Sequence, residues 1–392
     1  MEQPRGTIDS AATRTPDAIG DLTRLFLRLG ITAFGGPAAH IAMMEDEVVR
    51  RRQWLSHAEF LDLLGATNLI PGPNSTEMAI HIGYRRAGWK GLLVAGLCFI
   101  VPAVLITLAV ACAYVQFGTL PQAQALFYGI KPVIIAVILQ ALWRLGRVAL
   151  HDRILIALGV ASVVASFLGA NELIVLFGAG ALMMAYRWTR VRLSNGAASG
   201  ALAILPKLGI LKALGAGAAP FSLMALFLFF LKVGAVLFGS GYVLLAFIQA
   251  DLVDRLHWLT KAQLLDAVAV GQITPGPVFS TATFVGYVLG GVPGATVSTL
   301  GIFLPSFIFV ALSGLVLPYL RRSPIMGAFL DGVNVGALAL MVLVMWQLGG
   351  DALIDLTSIA LAIASAFLLL RYQLNSAWLI VMGGAVGLLA RW

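Results

Sequence analysis

The chain has 392 residues, 60% of them hydrophobic and only 11% charged, with a mean hydropathy of +0.93 and a formal net charge of +8. A water-soluble protein of this length needs about a quarter of its residues charged to cover its surface, so the composition excludes a soluble globular fold and places the chain in a bilayer. The positive balance does not indicate a nucleic-acid partner, because the Arg and Lys residues stand mostly at the ends of apolar segments, where they orient helices in the membrane.

Residues 1–21 hold Glu2, Asp9 and Asp17 among small polar residues, with no apolar core or cleavage-like site. They are read as a disordered tail and not as a signal peptide. Next comes residues 22–84, interrupted by Gly and Pro, with "MEDEVVRRRQWLSHAEF" at 44–60 expected to form an amphipathic surface helix and turn. Apolar stretches follow at 91–114, 122–142, 154–168, 172–186, 222–249, 295–317, 326–346, 357–370 and 376–390. Several approach the roughly 20 residues that cross hydrocarbon, and the shorter ones must tilt or sit in hairpins. The expected fold is an all-α polytopic membrane protein, solvated by lipid. Cys98 and Cys112 fall in one expected helix, about 21 Å apart along its axis, far outside disulfide reach.

The chain repeats itself. "FLRLGITAFGG" at 26–36 recurs as "FLKVGAVLFGS" at 230–240, and Trp54 with Trp258, Asp62 with Asp266 and "IPGP" at 70–73 with "TPGP" at 274–277 keep the same offset of 204. After one deletion the offset is 203, pairing Pro102 with Pro305, Gly129 with Gly332 and Trp143 with Trp346. Two homologous halves are therefore expected, at 22–188 and 221–392, with a linker at 189–220. Their turns carry opposite charge. "YRRAGWKG" at 84–91 is basic where "YVLGGVPG" at 287–294 is neutral; "VQFGTLPQAQ" at 115–124 is neutral where the counterpart carries Arg321 and Arg322. Arg144, Arg147 and Arg153 then stand against Asp351 and Asp355. Basic turns face the cytoplasm, so the halves read as inverted repeats.

Each half opens with two broken apolar stretches, at Gly35, Gly36 and Pro37 and at Pro71, Gly72 and Pro73 in the first, with Gly239, Ser240 and Gly276 at the matched places in the second. A broken backbone in lipid leaves N–H and C=O groups unpaired at several kcal/mol each unless they face protein, water or a ligand. Four matched breaks therefore predict a lined polar cavity, whereas a single kink is explained by packing alone. Half-helix N-termini offer free N–H groups to an anion, and Asn74, Ser75 and Thr76, with Ser280 and Thr281 in the second half, add side-chain donors. Arg28 and Lys232 are matched cations inside apolar segments. They either hold a small oxyanion or snorkel to the interface. Lys131, before Pro132, has Asn334 as its counterpart, so any role belongs to one half. Glu77 has no acidic counterpart and is a candidate to carry a coupling proton, whereas Asp62 and Asp266 read as salt-bridge partners for cations. The five histidines show no metal-ligand spacing and no nucleotide-binding glycine loop is present, so no metal, cofactor or enzymatic activity is expected. A homodimer is left open.

At these residues the sequence resembles the chromate ion transporter family, in its long two-domain form. The likeness runs from about residue 22 to the end and rests on "FGGPAAHI" at 34–41, "PGPNSTEMAIHIGYRRAG" at 71–88, "FIVPA" at 99–103, "FGSGYVLLAFI" at 238–248 and "TPGPVFSTATFVGY" at 274–287. The resemblance implies a secondary transporter of the inner (cytoplasmic) membrane that exports chromate and confers resistance to it. A passive anion channel and an uptake carrier for sulfate or a related anion are the competing readings, since sulfate differs little from chromate in charge and shape. The second half departs from the first in having Ser240 and Gly241 in place of Gly36 and Pro37, and Val278 in place of Asn74, so the two half-sites are not expected to contribute equally.

Overall fold

The computed structural model describes residues 17–194, 220–238, 241–321, 323–372 and 374–391, and among these it forms fourteen α-helices and no strand. The first half runs α1 (Ala18–Thr32), α2 (Gly36–Glu45, continued by a π-helical turn over Asp46–Arg51), α3 (His57–Thr67), α4 (Asn74–Phe117), α5 (Pro121–Ala149), α6 (Arg153–Phe167) and α7 (Glu172–Ser194). The second half repeats it as α8 (Leu223–Val236), α9 (Val243–Phe247, continued by a π-helical turn over Ile248–Arg255), α10 (Lys261–Ile273) and α11 (Thr281–Arg321, entered by a 3-10 turn over Val278–Ser280). It closes with α12 (Pro324–Ala352), α13 (Leu356–Tyr372) and α14 (Ser376–Arg391). The expected apolar stretch at 222–249 is thus not one helix, because the break after α8 divides it. The charged run at 44–60 becomes the end of α2, its π-helical turn and the start of α3.

The repeat extends to details of local chemistry. α3 and α10 both start on a capping box, Ser56 with Glu59 and Thr260 with Gln263, so each satisfies its first free N–H groups with its own side chains. α4 and α11 both bend sharply, at Ala87 and Gly88 and at Gly290 and Gly291. Gly88 (φ 59°, ψ −145°) and Gly291 (φ 59°, ψ −151°) hold nearly the same conformation, one that a Cβ would strain.

These bends turn the opening of each half into hairpins. Arg85, at the end of the first arm of α4, pairs with Glu59 at the start of α3 at 3.0 Å, so the two run back along each other with the Pro-Gly-Pro turn at their tip. Arg28 on α1 likewise pairs with Glu47 just beyond α2. The second arm of α4, about 43 Å long at 1.5 Å per residue, then crosses. Close approach sets the depth of the tips: a Cβ on Gly30, near the end of α1, would lie 2.8 Å from the Phe99 carbonyl and 3.1 Å from Pro102, roughly half-way along that arm.

Among the described residues four segments are long and apolar enough to cross a membrane, Asn74–Phe117, Pro121–Ala149, Val278–Ser313 and Ile325–Ala352, and shorter apolar helices accompany them. The protein is a multi-pass membrane protein. Matched helices run antiparallel: the first turns of α5 share a cavity with the last residues of α12, Asp351 and Ala352, while Ala149 at the other end of α5 clusters with Ala328 near the start of α12. The halves also exchange their last helices. Gly129 of α5 packs on Gly383 and Gly387 of α14, and its counterpart Gly332 of α12 packs on Ala179 and Gly180 of α7, each so closely that a Cβ would fall within 3 Å of backbone. One face of the molecule carries Arg50, Arg51, Arg52, Arg85, Arg86, Lys90 and Arg147, and the second-half hairpins enter from the other.

Candidate functional site

The breaks of the two halves meet. Gly72 donates its N–H to the Leu237 carbonyl at 2.8 Å, and Gly276 donates its N–H to the Ala33 carbonyl at 2.8 Å. All four residues follow the offset of 204, so each Pro-Gly-Pro tip is tied to the first break of the opposite half by the same bond, given and returned. The carbonyl at Ala33 and the amide at Gly72 are among the groups that a helix interior would have paired; here the other half pairs them. Only glycine fits at either tip. Gly72 (φ 138°) and Gly276 (φ 85°) lie in the left-handed region, and a Cβ on Gly276 would meet the Ala103 Cβ at 2.7 Å. The Ala33 carbonyl also accepts from the buried His40 ring, Nε2 at 3.0 Å.

Around this crossing stand several of the residues singled out from the sequence. Gly35 and Gly36 open α2 with φ of 104° and 79°. Ser75, Thr76 and Glu77 in the first turn of α4 are all buried, and Thr76 Oγ1 and both Glu77 oxygens lack a hydrogen-bond partner among the described residues. Asn74 instead bonds Asn68 across the turn, Nδ2 to Oδ1 at 2.8 Å. In the second half Ser280 accepts from Thr107 Oγ1 at 3.1 Å, and Thr281 Oγ1 donates to the Val278 carbonyl at 2.7 Å. Gly239 and Ser240 lie outside the described residues.

The structure places the three cations in ion pairs. Arg28 pairs with Glu47, and Lys232 pairs with Asp251, which Arg255 also holds at 2.7 Å. Arg51 and Arg52 complete the first cluster, each 3.2 Å from Glu47. Burial alone would raise the Glu47 carboxyl at this charged edge; the guanidiniums of Arg28 and Arg52 outweigh it and hold it below the usual glutamate range. Arg28 remains half-exposed and lines an open cavity of about 500 Å³ with Thr32, Asp46, Glu47 and Arg51. Lys131 pairs with Asp266 at 3.3 Å, Tyr114 donates to Asp266 at 2.9 Å, and Arg391 and Tyr128 line the same cavity of about 280 Å³. Asp62, the counterpart of Asp266, is exposed on α3.

Sequence reasoning passed over the acids that pair with Arg28 and Lys232. Glu47 and Asp251 differ by 204, as do Arg51 and Arg255, so the offset itself was the signal. It also passed over Ser306, the counterpart of Ala103. A Cβ on Gly72 would meet Ser306 Oγ at 2.9 Å, and that hydroxyl is buried without a partner among the described residues.

Antiparallel halves, hairpins with discontinuous backbone and a buried crossing lined by small and hydroxylated residues define a polytopic membrane protein of the transporter type. The comparison with protein families agrees in both halves: the Chromate transporter family model matches residues 20–185 and 224–388, and the chain belongs to that family. The chain is 33% identical to the chromate transport protein of Cupriavidus metallidurans, over 98% of this chain and 96% of that one. It is 33% identical to the chromate transport protein of Pseudomonas aeruginosa, over 84% and 81%, and 31% identical to a probable chromate transport protein of Synechococcus elongatus, over 86% of each. No solved structure matches the chain.

Proposed function

We propose that the protein is a secondary transporter that exports chromate, or a tetrahedral oxyanion of like charge, across the cytoplasmic membrane. The substrate is taken from the names of the relatives, and the mechanism rests on one observation, the reciprocal bonds from Gly72 to Leu237 and from Gly276 to Ala33. Hairpins entering from opposite faces meet there, so withdrawing either pair opens the crossing to one side only, which is what alternating access needs. The working units are the two halves, α1 to α7 and α8 to α14; α1 already starts at Ala18 and α7 runs to Ser194, so the bounds expected at 22 and 188 fall inside helices. The face with Arg50–Arg52, Arg85 and Arg86 is cytoplasmic by the charge rule.

The anion is held at the crossing by Ser75, Thr76, Ser280 and Thr281 and by backbone at Gly35, Gly36, Gly72 and Gly276. Asn74, on the turn beside them, completes the set of first-half donors. Arg28 and Lys232 draw the anion toward the tips from opposite faces, each trading its carboxylate partner for the anion, and Lys131 does the same at the Asp266 cavity. No nucleotide is required, since outward movement of a dianion down a negative-inside potential releases about 4.6 kcal/mol per 100 mV, twice the single-charge value.

Flux of labelled chromate into inverted vesicles tests this reading. Uptake that saturates, is competed by sulfate and follows the membrane potential supports it; linear uptake without counter-transport identifies a channel, and accumulation only in right-side-out vesicles identifies an importer. Cysteines placed in the 85–90 and 287–294 turns should label from opposite sides.

A further inference from the structure

The tip of the α3–α4 hairpin encloses a carboxyl that no described residue pairs. Glu77 is 0% exposed, and neither of its oxygens has a hydrogen-bond partner among the described residues. It lies in the first turn of α4, against the broken backbone: a Cβ added to Gly72 would fall 2.2 Å from Glu77 Oε1 and 2.9 Å from Ser306 Oγ, which comes from the other half. Thr76 Oγ1, next to Glu77 in the chain, and Ser306 Oγ are buried without partners as well. Three side chains from both halves thus bring unsatisfied polar atoms to the crossing.

Among the described residues, the elements packed against α4 place no counter-charge on Glu77. α1 offers Asp21 and the exposed Arg24 near its start and Arg28, held by Glu47; α2 offers Glu45, 3.3 Å from His57 of α3, and His40, bonded to the Ala33 carbonyl; α3 also offers Glu59, paired with Arg85, and the exposed Asp62. α10 offers Asp266, paired with Lys131, and α11 carries Tyr287; His81 follows one turn later on α4 itself. None of them forms an ion pair or hydrogen bond with Glu77. An ionised carboxylate enclosed in this way, with no partner for either oxygen, is far costlier than a neutral one.

We propose that Glu77 is a proton site linked to the anion site, so that the anion and one proton occupy the crossing together. This rests on reading the crossing as the oxyanion site. A proton on Glu77 removes a like charge from beside the anion and adds an O–H donor, and by linkage a bound anion strengthens proton binding by the same factor. The matched place in the second half holds only hydroxyls, Ser280 and Thr281, so the stoichiometry is one proton per dianion and the pair still carries one negative charge. Export therefore remains driven by the membrane potential.

The test uses full-length protein in lipid, with chromate and sulfate as probes between about pH 5 and 9. In the wild type the binding constant should weaken as pH rises past the point at which the anion-free carboxyl releases its proton, by up to about tenfold per unit for one linked proton. Glu77→Gln should bind with no such slope, and Glu77→Asp should keep one. Protonation of the anion itself moves all three proteins alike and cancels in the comparison. Independently of any substrate, the infrared band of a protonated carboxyl should be present in wild type and missing in Glu77→Gln. An equal pH slope in Glu77→Gln, or no difference in that band, overturns the proposal. A wild type that binds neither anion while showing the band overturns the oxyanion reading and leaves the proton site standing.

Discussion

The two halves share a frame and differ in chemistry. Their capping boxes, bends and reciprocal tip bonds coincide residue for residue, yet the first Pro-Gly-Pro turn runs straight into α4 with Asn74, Ser75, Thr76 and Glu77, whereas the second passes through a 3-10 turn of Val278, Phe279 and Ser280 with no acid. α2 has ten residues before its π-helical turn and α9 has five. Duplication keeps the groups that close the backbone, because losing one leaves a partner unpaired in the other half. The buried acid at the tips, Glu77, stands on a single side, where the other half has Thr281.

The largest expected effect separates the two tips. Gly276→Ala puts a methyl 2.7 Å from Ala103 Cβ and 3.2 Å from the Gly30 carbonyl at a left-handed φ, and should cost about 3 kcal/mol and abolish transport. Thermal unfolding in detergent and vesicle flux measure it, and Ala103→Gly should restore part of the loss. In Gly72→Ala the first obstacle is the end of the Glu77 side chain, so stability should fall less while transport is still lost; equal destabilisation would mean that the tips are packed alike.

The matched aspartates come next. Asp266→Asn strips Lys131 of its counter-charge in a largely buried pair and should cost about 2–4 kcal/mol, whereas Asp62→Asn on the exposed side of α3 should stay within about 0.5 kcal/mol. If both variants behave alike, the charged cavity of the second hairpin has no special part.

Smaller still are the cations at the two mouths. Arg28→Gln and Lys232→Gln should each raise KM for chromate several-fold with a lesser effect on kcat, because Arg51, Arg52 and Arg255 remain on the carboxylates, and Arg28→Lys should recover only part of the loss. Glu47, held below its ordinary range, contributes stability that is present above about pH 4.3 and lost as pH falls through its lowered value in the folded protein, so Glu47→Gln should flatten the acid limb of a stability profile. At the bottom of the scale, Arg190→Gln on the last turns of α7 should leave flux unchanged.

Much of this organisation is legible in the chain. The offset of 204 exposes the repeat, Gly and Pro mark the breaks, and the alternation of turn charge gives the inversion, because each depends on residue type at fixed spacing. What escaped depends on which element folds back on which. Arg28 and Lys232 look unpaired inside apolar stretches until α2 and α9 return their acids to them, and Ser306 is one hydroxyl among many until Gly72 is seated beside it. The break inside the apolar stretch at 222–249 is legible only through the repeat, since Leu237 and Phe238 are as apolar as their neighbours and the matched Gly35 and Gly36 mark the place.

The reciprocal bonds at the tips also set a timetable for biogenesis. When Gly72 enters the membrane, the carbonyl it needs, at Leu237, is 165 residues from being made. At about 5–20 residues per second the amide waits roughly 10 to 30 s. The Ala33 carbonyl waits longer still, for Gly276, but His40 from its own hairpin is already at hand to donate to it. In the finished fold His40 and Gly276 share that carbonyl, so a ribosome-bound first half should keep the α1–α2 hairpin closed while the α3–α4 tip still lacks its acceptor.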